Sequence, residues 1–215
     1  LLAPANGSET LFTPRFEWQA MTGARSYILQ YSTDATFQTG VTQKEIHGTS
    51  YIPDTQLPND VNIYWRVQVR AGASAYSDWS NQGDPAQAWR FIKRWNLAPQ
   101  LLTPINNTIG VHQAPFLSWT PVPGAAYYKV QAACDQGFTS RLRQADVVHP
   151  YYVFPAWDDL WICPTWFWRV TPFDGGGSPG AASESGRFSL AWDAPPRLLA
   201  PDDGAVIPFT PRFSW

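Results

Sequence analysis

Residues 63–70 read Ile63-Tyr64-Trp65-Arg66-Val67-Gln68-Val69-Arg70. Ile63, Trp65, Val67 and Val69 alternate with Tyr64, Arg66, Gln68 and Arg70, the period-2 pattern of a strand with one buried face. The heart of this stretch returns in the second half of the chain as Phe167-Trp168-Arg169-Val170. Working outward, Tyr27, Leu29 and Tyr31 alternate with Ile28, Gln30 and Ser32, and Tyr128, Val130 and Ala132 alternate with Lys129, Gln131 and Ala133. No segment sustains a helical period. Pro and Gly punctuate the chain at short intervals (Pro4, Gly7, Pro14, Gly23, Gly40, Gly48, Pro53, Pro58, Gly72) and mark turns between short strands.

The recurrence extends over nearly the whole chain. Leu1-Leu2-Ala3-Pro4 returns as Leu101-Leu102-Thr103-Pro104 and again as Leu198-Leu199-Ala200-Pro201. Gly23-Ala24-Arg25-Ser26-Tyr27 matches Gly124-Ala125-Ala126-Tyr127-Tyr128, and Asp34 with Phe37 matches Asp135 with Phe138. Arg90-Phe91 followed by Trp95 matches Arg187-Phe188 followed by Trp192, and each Trp precedes the next Leu-Leu by the same short linker, bearing Pro99 or Pro195-Pro196. The expected division is residues 1–100, residues 101–197 and a third, truncated repeat over 198–215. The third segment, ending Phe209-Thr210-Pro211-Arg212-Phe213-Ser214-Trp215, matches Phe12-Thr13-Pro14-Arg15-Phe16-Glu17-Trp18 better than the second repeat does. The pattern is therefore a two-domain super-repeat. Residues 198–215 are expected to supply a first strand and the start of a second, too little to bury a core without partner strands.

Composition narrows the function. Charged residues are 15% of the 215, against about 25% in ordinary soluble domains. The chain has 12 Trp, 20 Pro and a net charge of −2. Such aromatic content argues against disorder. The absence of a basic stripe argues against nucleic acid as a partner. The longest apolar runs fall far short of the roughly 20 residues of a spanning helix. The chain begins at Leu1, shows no leader pattern, and reads as a piece of something longer.

Short strands and regular turns in units of this size imply an all-β fold of tandem β-sandwiches. Each repeat resembles a fibronectin type III domain, of the kind found in bacterial secreted and cell-surface proteins. The residues that carry the resemblance are a Pro ahead of a strand-B Trp (Trp18, Trp119), a Gly-Ala pair, a strand-C Tyr (Tyr27, Tyr128) and the strand-F Trp-Arg-Val. Tyr76-Ser77-Asp78-Trp79-Ser80 resembles the segment before strand G. The resemblance implies an immunoglobulin-like sandwich of sheets A-B-E and C′-C-F-G, with Trp18, Trp65, Trp119 and Trp168 in the cores. Two departures stand out. Tyr64 corresponds to Phe167, which removes a shared strand-F tyrosine device, and the second repeat has the shorter F–G connection.

On that topology, Cys134 at the end of strand C and Cys163 just before strand F come within disulfide reach. A bridge across that loop stabilises by about 3–4 kcal/mol in the chain-entropy model and implies an oxidising compartment; two unpaired thiols are the alternative. Asn6-Gly7-Ser8 and Asn106-Asn107-Thr108 fit the glycosylation pattern and fall at matching turns, where Asn is also favoured for turn geometry.

No catalytic constellation emerges. His47, His112 and His149 are scattered, and Asp158-Asp159 reads as a solvated loop. Asp174-Gly175-Gly176-Gly177-Ser178-Pro179-Gly180 lacks the Lys and following helix of a phosphate loop and reads as a flexible turn. Asp34 and Asp135 read as turn formers. No cofactor or metal is expected. Trp95 and Trp192 stand where they could pack across joints, and Trp166 reads as inward. Trp157 and Trp161 match no core position; loop packing, a protein interface and a sugar platform remain open for them.

The expected function is a non-catalytic structural or adhesive segment of a long extracellular or cell-surface repeat protein, with other copies of itself as partners, carbohydrate as a further candidate, and assembly into a surface fibre. The alternative is a spacer or accessory binding module of a secreted polysaccharide-degrading enzyme.

Overall fold

The computed structural model describes residues 1–110, 115–153, 162–191 and 199–206. Strands dominate. The first repeat holds β1 (Ser8–Thr10), β2 (Phe16–Glu17), β3 (Ser26–Ser32), β4 (Thr42–Ile46), β5 (Ser50–Tyr51), β6 (Asn62–Arg70) and β7 (Trp89–Lys93). One sheet runs β1-β7-β6-β3-β4. Facing it, β2 pairs with β5 and is extended by a bridge from Glu17 to Ala3. The second repeat holds β8 (Leu101–Thr103), β9 (Asn107–Gly110), β10 (Leu117–Trp119), β11 (Ala125–Ala133), β12 (Arg143–Val147), β13 (Tyr151–Tyr152), β14 (Thr165–Asp174) and β15 (Gly186–Ala191). Its sheets are β12-β11-β14-β15-β9 and β13-β10-β8, the same order over again. The chain is all-β, and its units are immunoglobulin-like β-sandwiches.

The order departs from the expected A-B-E and C′-C-F-G sheets in one respect. The first strand is divided between the sheets. Its opening half, Ala3 or β8, pairs with strand B. Beyond Pro4 and Pro104 the chain crosses over, and β1 and β9 run parallel to β7 and β15. The peptides before Pro4, Pro104 and Pro201 are all cis.

The alternation read in the sequence is the burial pattern of β6 and β14, whereas in β3 Ile28 and Ser32 are buried as well as Tyr27, Leu29 and Tyr31. In β14, Trp166, Trp168, Val170, Pro172 and Asp174 all face inward. Trp65 and Trp168 are fully buried at the centres of the two cores, with Trp18 and Trp119 nearly so. Phe16, Leu29, Ile63 and Phe91 complete the first core; Leu117, Val130, Trp166 and Phe188 complete the second. The missing strand-F tyrosine has a substitute on strand C. The hydroxyl of Tyr27 accepts a hydrogen bond from the Met21 amide at 2.8 Å, and that of Tyr128 accepts one from the Val122 amide at 2.9 Å. Each braces the B–C loop against the sheet.

Asp34 and Asp135 form turns, as expected. Asp34 accepts from Thr36, Gln38 and Thr39, and Asp135 from Thr139 and Ser140. The Thr36 hydroxyl, first among these donors, holds the Asp34 carboxyl well below its usual range; for Asp135 the Ser140 amide has the larger effect. Each turn presents a Phe with positive φ, and Arg66 and Arg169 lie 4.1 Å over the rings of Phe37 and Phe138.

Candidate functional site

The most elaborate constellation lies where the two sandwiches meet. Strand β7 carries an inward row of Phe91 and Lys93, which Trp95 continues past its end. Phe91 belongs to the first core. Trp95 belongs to the second: it is 1% exposed and packs in one apolar cluster with Trp119, Val122, Tyr128 and Val170. Its indole N–H donates to the Pro123 carbonyl at 3.0 Å. Its backbone is gripped from the first sandwich, where the Asn59 side chain donates to the Trp95 carbonyl at 2.8 Å and accepts from its amide at 3.1 Å.

Between those two anchors lies an ion pair. The Lys93 ammonium donates to Asp174 at 2.6 Å and to the Leu57 carbonyl at 2.9 Å. The other Asp174 oxygen accepts from the amides of Gly176 and Ser178 at 3.0 and 2.9 Å. Burial pushes the Asp174 carboxyl up. The Lys93 hydrogen bond, the Ser178 amide, the Lys93 charge and the Gly176 amide act the other way and prevail, so it titrates below the ordinary carboxylate range. A buried charge is tolerated when it is paired and hydrogen-bonded; here the ions pair with each other, and Leu57, Gly176 and Ser178 add further hydrogen bonds.

Glycine allows the close approach. A methyl at Gly180 would stand 2.6 Å from the Leu97 carbonyl and 3.3 Å from the Trp95 ring. At Gly124 it would meet Phe12 and the Trp95 indole at 3.2 Å, and at Gly176 it would meet the Gln56 side chain at 3.2 Å. The glycine-rich F–G loop, expected as a flexible turn, is thus a fitted surface of the joint.

Other sequence-derived candidates lie elsewhere. Cys134 and Cys163 form a disulfide across a Cα–Cα distance of 5.5 Å. The two sequons are not at matching positions. The amides of Gly7 and Asn106 each donate at 2.7 Å to the carbonyl of the strand-G arginine, Arg90 or Arg187, and both residues have positive φ. Asn106 therefore fills the place of Gly7, and Asn6 stands one residue earlier, its side-chain Oδ1 accepting from the Arg90 amide at 3.0 Å. The one-residue difference between the first strands causes the offset. His47 and His149 are exposed and apart. His112, Trp157, Trp161, Asp158, Asp159 and Trp192 lie outside the described residues. Among the described residues no group of three His, Cys, Asp or Glu could hold a metal ion, and no helix is long and apolar enough to cross a membrane.

Sequence reasoning placed Trp95 at the joint but missed Lys93, Asp174 and Asn59. The signal was available: Lys93 and Asp174 are charges at inward positions of period-2 strands, where an ion needs a partner.

No family model matches the chain, and no curated protein matches it. Among solved structures, the chain is similar to FN1–FN3 domains of chicken CNTN1, with 9% identity, 86% of this chain and 68% of that one covered, and a TM-score of 0.34. It is also similar to a 1.5-MDa bacterial ice-binding adhesin, in a structure concerned with host cell surface retention, with 11% identity, 80% and 55% covered, and a TM-score of 0.31. At these identities and scores no partner or activity passes from either to this chain. The strand order of the chain itself makes it a tandem of immunoglobulin-like β-sandwiches.

Proposed function

We propose that the chain is a non-catalytic structural and adhesive segment of a long extracellular or cell-surface repeat protein, in which sandwiches are locked end to end into a stiff element of a surface fibre. The supporting observation is the joint. Separate domains on a flexible tether have no use for a buried Lys93–Asp174 pair 81 residues apart in sequence, nor for a Trp95 seated in the neighbour's core. Interfaces between domains of one chain are ordinarily small and polar, with relative motion as the default; this one carries an apolar anchor and a desolvated ion pair. The disulfide accords with an oxidising compartment. Low charge and few Lys suit lateral contact between neighbours.

Electron microscopy of the native material tests the reading. It predicts long rods or fibres with a regular sandwich repeat. Isolated globular particles carrying a separate catalytic domain would contradict it and favour a spacer in a polysaccharide-degrading enzyme.

A further inference from the structure

The seat that holds Trp95 in the second sandwich has a counterpart in the first, and there it stands open. A groove of about 370 Å³ is lined by Trp18, Met21, Tyr27, Val67, Val69 and Ser77. By strand register and loop pairing these are the equivalents of Trp119, Val122, Tyr128 and Val170, which share one apolar cluster with Trp95, of Gly180, where a methyl would stand 3.3 Å from the Trp95 ring, and of Pro172 next to Gly180. The loop is already braced by the Tyr27 hydroxyl, as its counterpart is by Tyr128. Val122 is 6% exposed beneath Trp95, whereas Met21 is 58% exposed.

The geometry points to this groove as the seat for Trp192 of a second copy of the chain, placed head to tail ahead of Leu1. The sequence supplies the occupant: Trp192 precedes Leu198-Leu199-Ala200-Pro201 by the spacing with which Trp95 precedes Leu101, and Leu198 onward repeats Leu1 onward. What stands before a first-type sandwich is therefore a Trp192 linker. Charge selects the same partner. In the strand registers Leu190 stands where Lys93 does, and Ala71 where Asp174 does. A second-type sandwich ahead of a first-type one sets Leu190 beside Ala71, with no ion to bury. Two units of the same type in succession would bury a lone Lys93 against Ala71, or a lone Asp174 against Leu190, and an unpaired buried charge is strongly disfavoured. The two joints thus enforce alternation. Three positions differ: Met21 stands for Val122, Val69 for Pro172 and Ser77 for Gly180. A methyl at Gly180 would stand 2.6 Å from the Leu97 carbonyl, so Ser77→Gly is expected to tighten the seat.

The inference rests on the reading of the chain as one link of a longer array. Its test uses two copies joined at the seam the sequence provides, residues 1–197 followed by 1–215. Met21 is the sole methionine of each copy, so methyl-labelled methionine gives two signals. The expected result is one Met21 signal at the position of the single chain and one shifted upfield by the Trp192 ring, with the two merging in Trp192→Ala of the leading copy. Coincident signals in the unmutated tandem overturn the inference, as does a separation that persists in Trp192→Ala. Coincident signals alongside a rigid Lys93–Asp174 joint overturn the groove alone; coincident signals alongside a mobile Lys93–Asp174 joint overturn the stiff-segment reading as well.

Discussion

Lys93 of the first sandwich holds its ammonium 2.6 Å from the carboxylate of Asp174 in the second, with the two side chains 1% and 3% exposed. The sequence separates them by 81 residues, and nothing joins them except the docking of one domain on the other. The pair therefore reports directly on whether the joint is closed.

Removing one partner costs more than removing both. Lys93→Leu alone leaves Asp174 buried without its counter-ion, a change expected to cost about 3–5 kcal/mol. The double change Lys93→Leu with Asp174→Ala installs the residues found at the corresponding positions of the other strands, Leu190 and Ala71, and is expected to lie close to the parent. A double-mutant cycle by denaturant unfolding measures the coupling. Additive costs would show that the ions do not interact.

The joint weakens in acid. Asp174 has a depressed pKa in the folded state, so its contribution is complete above the unfolded carboxylate value of about 3.9. It is lost as pH falls below that value and through the lower folded pKa. Lys93→Leu with Asp174→Ala is expected to show a flatter fall in stability over this acid range than the parent. Thermal melts across the range check it; equal slopes would remove Asp174 from the account.

Trp95→Ala empties the seat in the second core. The expected cost is about 3–5 kcal/mol, the range for a buried aromatic replaced by Ala, and it falls on the second sandwich although Trp95 follows the last strand of the first. Amide exchange separates the two: faster exchange at Val122, Tyr128 and Val170 is expected, with Leu29 and Ile63 little changed.

The fold was legible because its signals are local. Alternation in 63–70 and its return at 167–170 give strands, and the repeated Leu-Leu and Trp positions give units. Burial of Trp65 and Trp168 follows from that phase; burial of Trp18 and Trp119 was implied by the resemblance to fibronectin type III domains. The divided first strand was not legible, because β1 and β9 are short segments whose parallel partner is fixed by topology rather than by pattern. The joint was half legible. Trp95 announces itself by composition and place. Lys93 and Asp174 are single charges in otherwise ordinary strands, and only their common inward phase marks them. The Asn6 and Asn106 offset was hidden by one residue of difference in length.

The Cys134–Cys163 bridge belongs to the second sandwich alone. Its reduction is expected to destabilise that sandwich by about 2–4 kcal/mol and leave the core around Phe16 and Trp65 unchanged. Alkylation without prior reduction is expected to add no mass. A mass gain on unreduced protein would remove the bridge.

The central claim is that the two sandwiches form one rigid body through Lys93, Asp174 and Trp95. Residual dipolar couplings measured on the full chain test it most directly. The expected result is that couplings from strands β3 and β6 and from strands β11 and β14 fit a single alignment tensor with the relative orientation that places Lys93 against Asp174. Two tensors of different magnitude would mean that the domains reorient independently, and would contradict the account.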